Sequence, residues 1–166
     1  MRTTDPSVVE RPEQPYVARR ASVTMQTIGE VLPSLNAGVG EWMGRHGLQP
    51  VGAPFWKYDV IDMAREMVVQ VGFPVAAPVE GDGSVVTGVL PAGRYATLVH
   101  TGHPQELVAA TRRLLDWGEE QGLRWDAEES PEGDRWGSRL EIYLTDPADQ
   151  PDMSRWETML AFRLAD

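Results

Sequence analysis

No cysteine occurs among the 166 residues. Disulfides, thiol nucleophiles and thiolate zinc sites are therefore excluded. No lysine–arginine cluster occurs either, and the formal net charge is −10. Direct nucleic-acid binding needs a basic surface to neutralise phosphates, so it is disfavoured. No apolar run approaches the roughly 20 residues of a membrane span. The N-terminus has no signal-peptide pattern, so a cytoplasmic protein without membrane contact is expected. G-x-S-x-G, the phosphate-binding P-loop and the dinucleotide fingerprint are all missing. The histidines are His46, His100 and His103. The last two span a strand end and a helix start with no supporting carboxylate set, so neither a metal site nor a cofactor is expected.

What is present is apolar and aromatic. Hydrophobic residues make up 42% of the chain, and six are tryptophan. That suffices for a core and excludes wholesale disorder. The tryptophans are read either as core or as the walls of a pocket for flat apolar ligands.

Residues 1–14 are polar, proline-containing and without period, and read as a flexible N-terminal arm. Tyr16 to Thr24 reads as a strand. Ile28, Val31, Leu32, Leu35, Val39, Trp42 and Met43 recur at helical spacing, with a start between Thr27 and Pro33 and a stop at Gly47. Phe55–Asp59 and Met67–Ala76 follow as strands, and Glu80-Gly81-Asp82-Gly83 as a turn between halves. Then come strands at Ser84–Leu90 and Arg94–His100. A second helix runs from Pro104 to Gly122 with Leu107, Ala110, Leu114 and Trp117 buried. Trp125–Asp134 reads as a mobile acidic loop, and strands at Leu140 and Trp156–Leu164 close the chain.

The order strand, helix, strand, strand occurs twice, and the sequence echoes it. Trp42…Gly47-Leu48 matches Trp117…Gly122-Leu123, Tyr16 matches Tyr95, and Phe73-Pro-Val-Ala76 matches Phe162-Arg-Leu-Ala165. The expected fold is α+β: two duplicated βαββ units related by pseudo-twofold symmetry, with an antiparallel sheet and two main helices. Residues 15–166 form one domain, with repeat one at about 15–80 and repeat two at about 84–166.

Leu140-Glu-Ile-Tyr-Leu-Thr-Asp146 alternates, with Leu140, Ile142 and Leu144 on one face and Glu141, Tyr143 and Thr145 on the other. Trp136 precedes this strand and Trp156 opens the next. Trp56 and Tyr58 share a face of their own strand in the same way. Glu141 is thus either exposed at a sheet rim or the polar floor of an aromatic pocket.

With these residues the chain resembles the GyrI-like small-molecule-binding family, the effector-binding fold of many bacterial multidrug-sensing regulators. The most specific likeness is Leu90-Pro-Ala-Gly-Arg-Tyr-Ala-Thr-Leu-Val-His-Thr-Gly102. Val71-Gly-Phe-Pro-Val75, Glu141-Ile-Tyr-Leu-Thr-Asp-Pro147 and Trp156-Glu-Thr158 also fit. The resemblance implies a pocket between two βαββ units, with Glu141 as its carboxylate facing cationic aromatic ligands and Tyr143 and Trp156 lining it. The internal repeat adds Trp56 and Tyr58. Gln70 stands where the family often has a glutamate, and the DNA-binding domain of the regulators has no counterpart here.

Two functions follow. The first is binding of a hydrophobic or cationic aromatic small molecule by a standalone domain, for sensing or sequestration of a drug or toxin. The pocket is Trp56, Tyr58, Trp136, Glu141, Tyr143 and Trp156. The second, implied by standalone relatives, is hydrolysis of cyclopropane-bearing genotoxins for self-protection. Glu141 would then be the acid or base and Glu157 a second carboxylate, if its strand turns it inward. A protein partner, gyrase or a regulator, is suggested by the family name alone.

Overall fold

The computed structural model describes residues 1–166. Its strands are β1 (Arg2–Thr3), β2 (Ser7–Arg11), β3 (Gln14–Val23), β4 (Phe55–Ile61), β5 (Met67–Pro74), β6 (Val86–Leu90), β7 (Gly93–Thr101), β8 (Ala127–Ser130), β9 (Gly133–Trp136), β10 (Arg139–Tyr143) and β11 (Glu157–Arg163). The helices are α1 (Ile28–Arg45) and α2 (Leu107–Glu120), the latter entered through a 3-10 turn at Pro104–Glu106. This is the expected α+β architecture, with two helices on one antiparallel sheet.

The sheet closes on itself. Pairs from Ser7–Thr97 to Arg11–Gly93 continue in the same register into Gln14–Leu90 to Ala18–Val86. β2 and β3 are therefore two stretches of one bent strand, and β6 and β7 of another. From this ribbon β7 pairs with β11, then β10, β4, β5 and back to β3. The inner face holds Tyr16, Ala18, Phe55, Leu90, Tyr95, Leu140, Ile142 and Ala161 in one buried cluster. The helices cover the outer face: α1 lies over β3 and β5, and α2 over β7.

Both helices end alike, and the repeated W-x4-G-L segments are the reason. Gly47 and Gly122 adopt φ of 66° and 70°. The following Leu48 and Leu123 donate backbone hydrogen bonds to Met43 and Gly118, each at 2.9 Å. This is a Schellman stop, in which glycine tolerates the left-handed turn and the next apolar residue packs back. At the start of α1, Thr24 and Thr27 exchange backbone-to-hydroxyl hydrogen bonds of 2.9 and 3.3 Å.

Two sequence expectations are corrected. Residues 1–14 are not a loose arm, because β1 and β2 pair along the edge of β7. Val8 and Val9 are both exposed, so this strand carries no apolar alternation for a sequence reading to detect. Its stability comes from ladder hydrogen bonds to residues some ninety positions away, which cover an otherwise open edge. Nor is Trp125–Asp134 simply a loop, since β8 and β9 form a hairpin whose second strand pairs with Val60 and Ile61 of β4. Gly133 permits the close approach: a Cβ there would lie 2.5 Å from the Ile61 carbonyl oxygen. The corresponding stretch of the first half, between α1 and β4, contains no such hairpin.

Candidate functional site

β4 and β10 are the central pair of the closed sheet, and their register brings the candidate residues together. Trp56 faces Glu141, Phe55 faces Ile142 and Lys57 faces Leu140. Tyr16 faces Pro74 across β3–β5, and Tyr95 faces Arg163 across β7–β11. Taking the two tyrosines as equivalent, Val71 matches Leu160, and their partners on the next strands are Trp56 and Glu141. The pseudo-twofold axis therefore passes between Trp56 and Glu141. Two residues further along each strand, Tyr58 matches Tyr143.

Both tyrosines converge on one carboxylate oxygen. Tyr58 donates its O–H to Glu141 Oε1 at 2.9 Å, and Tyr143 donates to the same oxygen at 2.6 Å. Glu141 Oε2 accepts no protein hydrogen bond and is not among the fully buried unpartnered atoms, so it keeps some access to solvent. Trp56 stands edge-on to Tyr143 at 5.0 Å between ring centroids and is oriented by its indole N–H, which donates to Asn36 Oδ1 of α1 at 2.9 Å. Tyr58 is buried, and Glu141, Tyr143 and Trp56 are half-buried. The site thus floors the gap between the areas covered by α1 and α2.

Burial dominates the electrostatics. It raises the Glu141 carboxyl above the ordinary glutamate range, against the two tyrosine hydrogen bonds and the nearby Arg139, which favour the charged form. Tyr143 and Tyr58 are held well above the usual phenol range, chiefly by burial and then by the adjacent carboxylate. They therefore remain hydrogen-bond donors at neutral pH. Arg139, one alternation back on β10, shares the face of Glu141. Its guanidinium lies 4.5 Å from the ring centre of Phe162 and 4.8 Å from that of Trp136.

None of the other residues singled out from the sequence hydrogen-bonds to Glu141. Trp136 belongs to a three-ring cluster with Trp125 and Phe162 and lies against the Arg139 guanidinium. Trp156 precedes β11, its indole N–H bound to the Gln150 carbonyl at 2.7 Å, and no hydrogen bond or ring contact joins it to Glu141. Glu157 is exposed and points to the opposite face, because Thr158 and Leu160 take the face of Glu141, so the strand does not turn it inward. Gln70 also faces the interior of the closed sheet. It accepts from Tyr16 at 2.8 Å and donates to Asp59 at 2.7 Å, while Asp59 is ion-paired with Lys57. In that interior, burial and then Asp59 push Tyr16 up to about 12.

Sequence reasoning missed two functional neighbours. Arg139 precedes Leu140, where the expected strand begins, although it shares the i, i+2 alternation with Glu141. Asn36 gave no signal, because it reaches Trp56 from a different element. No group of histidines and carboxylates is arranged to hold a metal ion. No helix is long and apolar enough to cross a membrane.

The chain matches the family described as GyrI-like small molecule binding domain over residues 4–164. No curated protein sequence matches it. Among solved structures it is similar to EcmrR, with 20% identity and a TM-score of 0.76. It spans 57% of the EcmrR chain in the EcmrR–DNA complex, and 98% of the EcmrR C-terminal domain alone; either alignment covers 98% of this chain. SAV2435 bound to tetraphenylphosphonium aligns over 98% of this chain and 94% of its own, with 7% identity and a TM-score of 0.62. A hydrolase from Listeria innocua aligns over 96% of this chain and 91% of its own, with 16% identity and a TM-score of 0.62.

Proposed function

The chain belongs to the GyrI-like small-molecule-binding domain family, and we propose that it binds a hydrophobic, aromatic small molecule between α1 and α2. A positively charged or hydrogen-bond-donating group of the ligand meets Oε2 of Glu141. The observation that carries this reading is the asymmetry of the carboxylate. One oxygen is saturated by two tyrosine hydroxyls and fixed in place, while the other faces the cleft beside aromatic rings. A charge held at partial burial is costly unless a partner compensates it, and a cationic ligand supplies both charge and cation–π attraction. The tetraphenylphosphonium bound by SAV2435 has this chemistry. In a titration with tetraphenylphosphonium followed by tryptophan fluorescence, the wild type should saturate and Glu141→Gln should bind at least about tenfold more weakly, as expected for a lost charge-assisted contact. Equal affinities would sink the proposal.

A second reading is hydrolysis, and the raised carboxyl beside its free oxygen favours it. A glutamate shifted toward neutral pH in an aromatic slot is suited to general acid–base work. Glu141 would take a proton from water as the water oxygen bonds to a cyclopropane carbon of the ligand. The ring C–C bond breaks as the C–O bond forms, its electron pair moves onto the ligand's conjugated carbonyl, and the proton follows to that oxygen. The similar structure from Listeria innocua is described as a hydrolase. A mass-spectrometric time course with a cyclopropane-bearing alkylator decides: growth of the water adduct with wild type but not with Glu141→Gln supports turnover. Intact ligand throughout leaves a binder.

A further inference from the structure

We infer that Arg139 is a second anchor of the cleft, so that the preferred ligand is dipolar, with a cationic or donor group at Glu141 and an anionic or acceptor group at Arg139. This rests on the reading of the cleft as a ligand site. Arg139 stands two residues before Glu141 on β10, and its cross-strand neighbour Phe162 is on the same face. Its guanidinium carbon lies over the Phe162 and Trp136 rings, 4.5 and 4.8 Å from their centres. Such ring contacts supply cation–π attraction but no oxygen acceptor for the guanidinium N–H groups.

Those N–H groups have no protein partner. Arg139 makes no ion pair within 4.0 Å and donates no hydrogen bond, and its nitrogens are not sealed from solvent. Arg163 on the inner face is the contrast: it donates to Ala92, Asp126 and Asp166 and is fully engaged. Arg139 is close enough to Glu141 for each charge to act on the other, yet it does not close onto it. An arginine pre-oriented by rings, with its donors free beside a carboxylate that also keeps one oxygen free, is built to receive a third group.

The internal repeat shows that this feature belongs to one half only. The position matching Arg139 in β4's half is Pro54, two residues before Trp56. The hairpin of β8 and β9, which carries Trp136, is likewise confined to the second half. One end of the cleft is therefore donor-rich and the other is not. A simple cation gains from Glu141 and loses to Arg139, whereas a zwitterion gains from both.

Rhodamine B, which carries a free carboxylate, and its ethyl ester, which is only cationic, form a matched pair of probes. Each is titrated into the full chain by fluorescence polarisation, with tetraphenylphosphonium alongside. Wild type should prefer rhodamine B by roughly tenfold, the scale of one charge-assisted hydrogen bond. Arg139→Gln should abolish that preference by weakening the acid and strengthening the ester, and Arg139→Lys should keep it, which separates lost charge from lost folding. Equal binding of both dyes by wild type, or a preference that survives Arg139→Gln, overturns the second anchor and leaves the cleft intact. Failure of rhodamine B where tetraphenylphosphonium binds overturns it too. Failure of all three probes overturns the cleft reading, and the anchor with it.

Discussion

Tyr58 and Tyr143 donate to the same oxygen of Glu141, at 2.9 and 2.6 Å, from equivalent positions in the two halves of the fold. The duplication supplied the pair of donors, and its breaking supplied what they hold. Where one half has Glu141 on the axis, the other has Trp56. A symmetric pair of carboxylates there would repel across the central ladder. The observed pair instead places one charge against one aromatic edge.

Replacing either tyrosine with phenylalanine removes a donor that favours the charged carboxylate. The Glu141 pKa should rise further in each variant, and more in Tyr143→Phe, whose bond is shorter. Affinity for tetraphenylphosphonium should fall about threefold to tenfold in either, the scale of one hydrogen bond. Because both donors share an oxygen, the double variant should lose less than the sum. Carboxyl NMR titration and calorimetry check this. An unmoved Glu141 titration in both single variants would contradict the shared-oxygen geometry.

Glu141 should trade stability for binding. Burial raises its folded pKa above the ordinary 4.5. The folded state therefore holds the proton more tightly than the unfolded chain, and stability falls as pH rises from the unfolded value through the folded one. Above the raised carboxyl value the charge is present and its cost is fully felt. Glu141→Gln keeps the acceptor for both tyrosines but not the charge. Its melting temperature should exceed that of wild type once the pH is above the raised carboxyl value. Below pH 4 the difference should vanish. Cation affinity should run the other way and drop in wild type as pH falls through the raised carboxyl value. A variant less stable than wild type above that value would show that the carboxylate contributes net stability.

The halves, the helices and their stops were legible because their signals are local. Trp42 and Trp117 each precede a glycine by five positions, and the Schellman geometry follows from that spacing. Glu141, Tyr143, Trp56 and Tyr58 were legible because period-two alternation puts each pair on one face. What was not legible is long-range. β2 reads as coil because both its faces are wet, and β9 because its partner Val60 lies far back in the chain. Trp156 is expected in the site from the family resemblance and Trp136 from its place just before β10; the structure sets Trp156 just before β11 and Trp136 against Arg139.

The edge role of β2 gives a stability test. Removing residues 1–11 strips the ladder from β7 and exposes its N–H and C=O groups. The truncated chain should melt at lower temperature and associate with concentration, as open edges do. Light scattering and thermal unfolding report both. A monomer with unchanged melting would mean the ladder contributes nothing.

Glycines inside the helices separate packing from propensity. Alanine is favoured over glycine in a helix interior by about 1 kcal/mol. At Gly40 a Cβ meets nothing within 4 Å, so Gly40→Ala should stabilise by about 0.5–1 kcal/mol in urea unfolding. At Gly118 a Cβ would lie 2.3 Å from Cζ2 of Trp125, a rigid ring already packed against Trp136 and Phe162. Overpacking there costs about 1–3 kcal/mol and outweighs the propensity gain. The displacement also has a path to the site, because Trp136 and Phe162 are the rings on which Arg139 rests. Gly118→Ala should therefore lose stability and also reduce the preference for rhodamine B over its ester. A variant that loses stability while keeping the dye preference would place the Trp125 cluster in the core alone, with no part in holding Arg139.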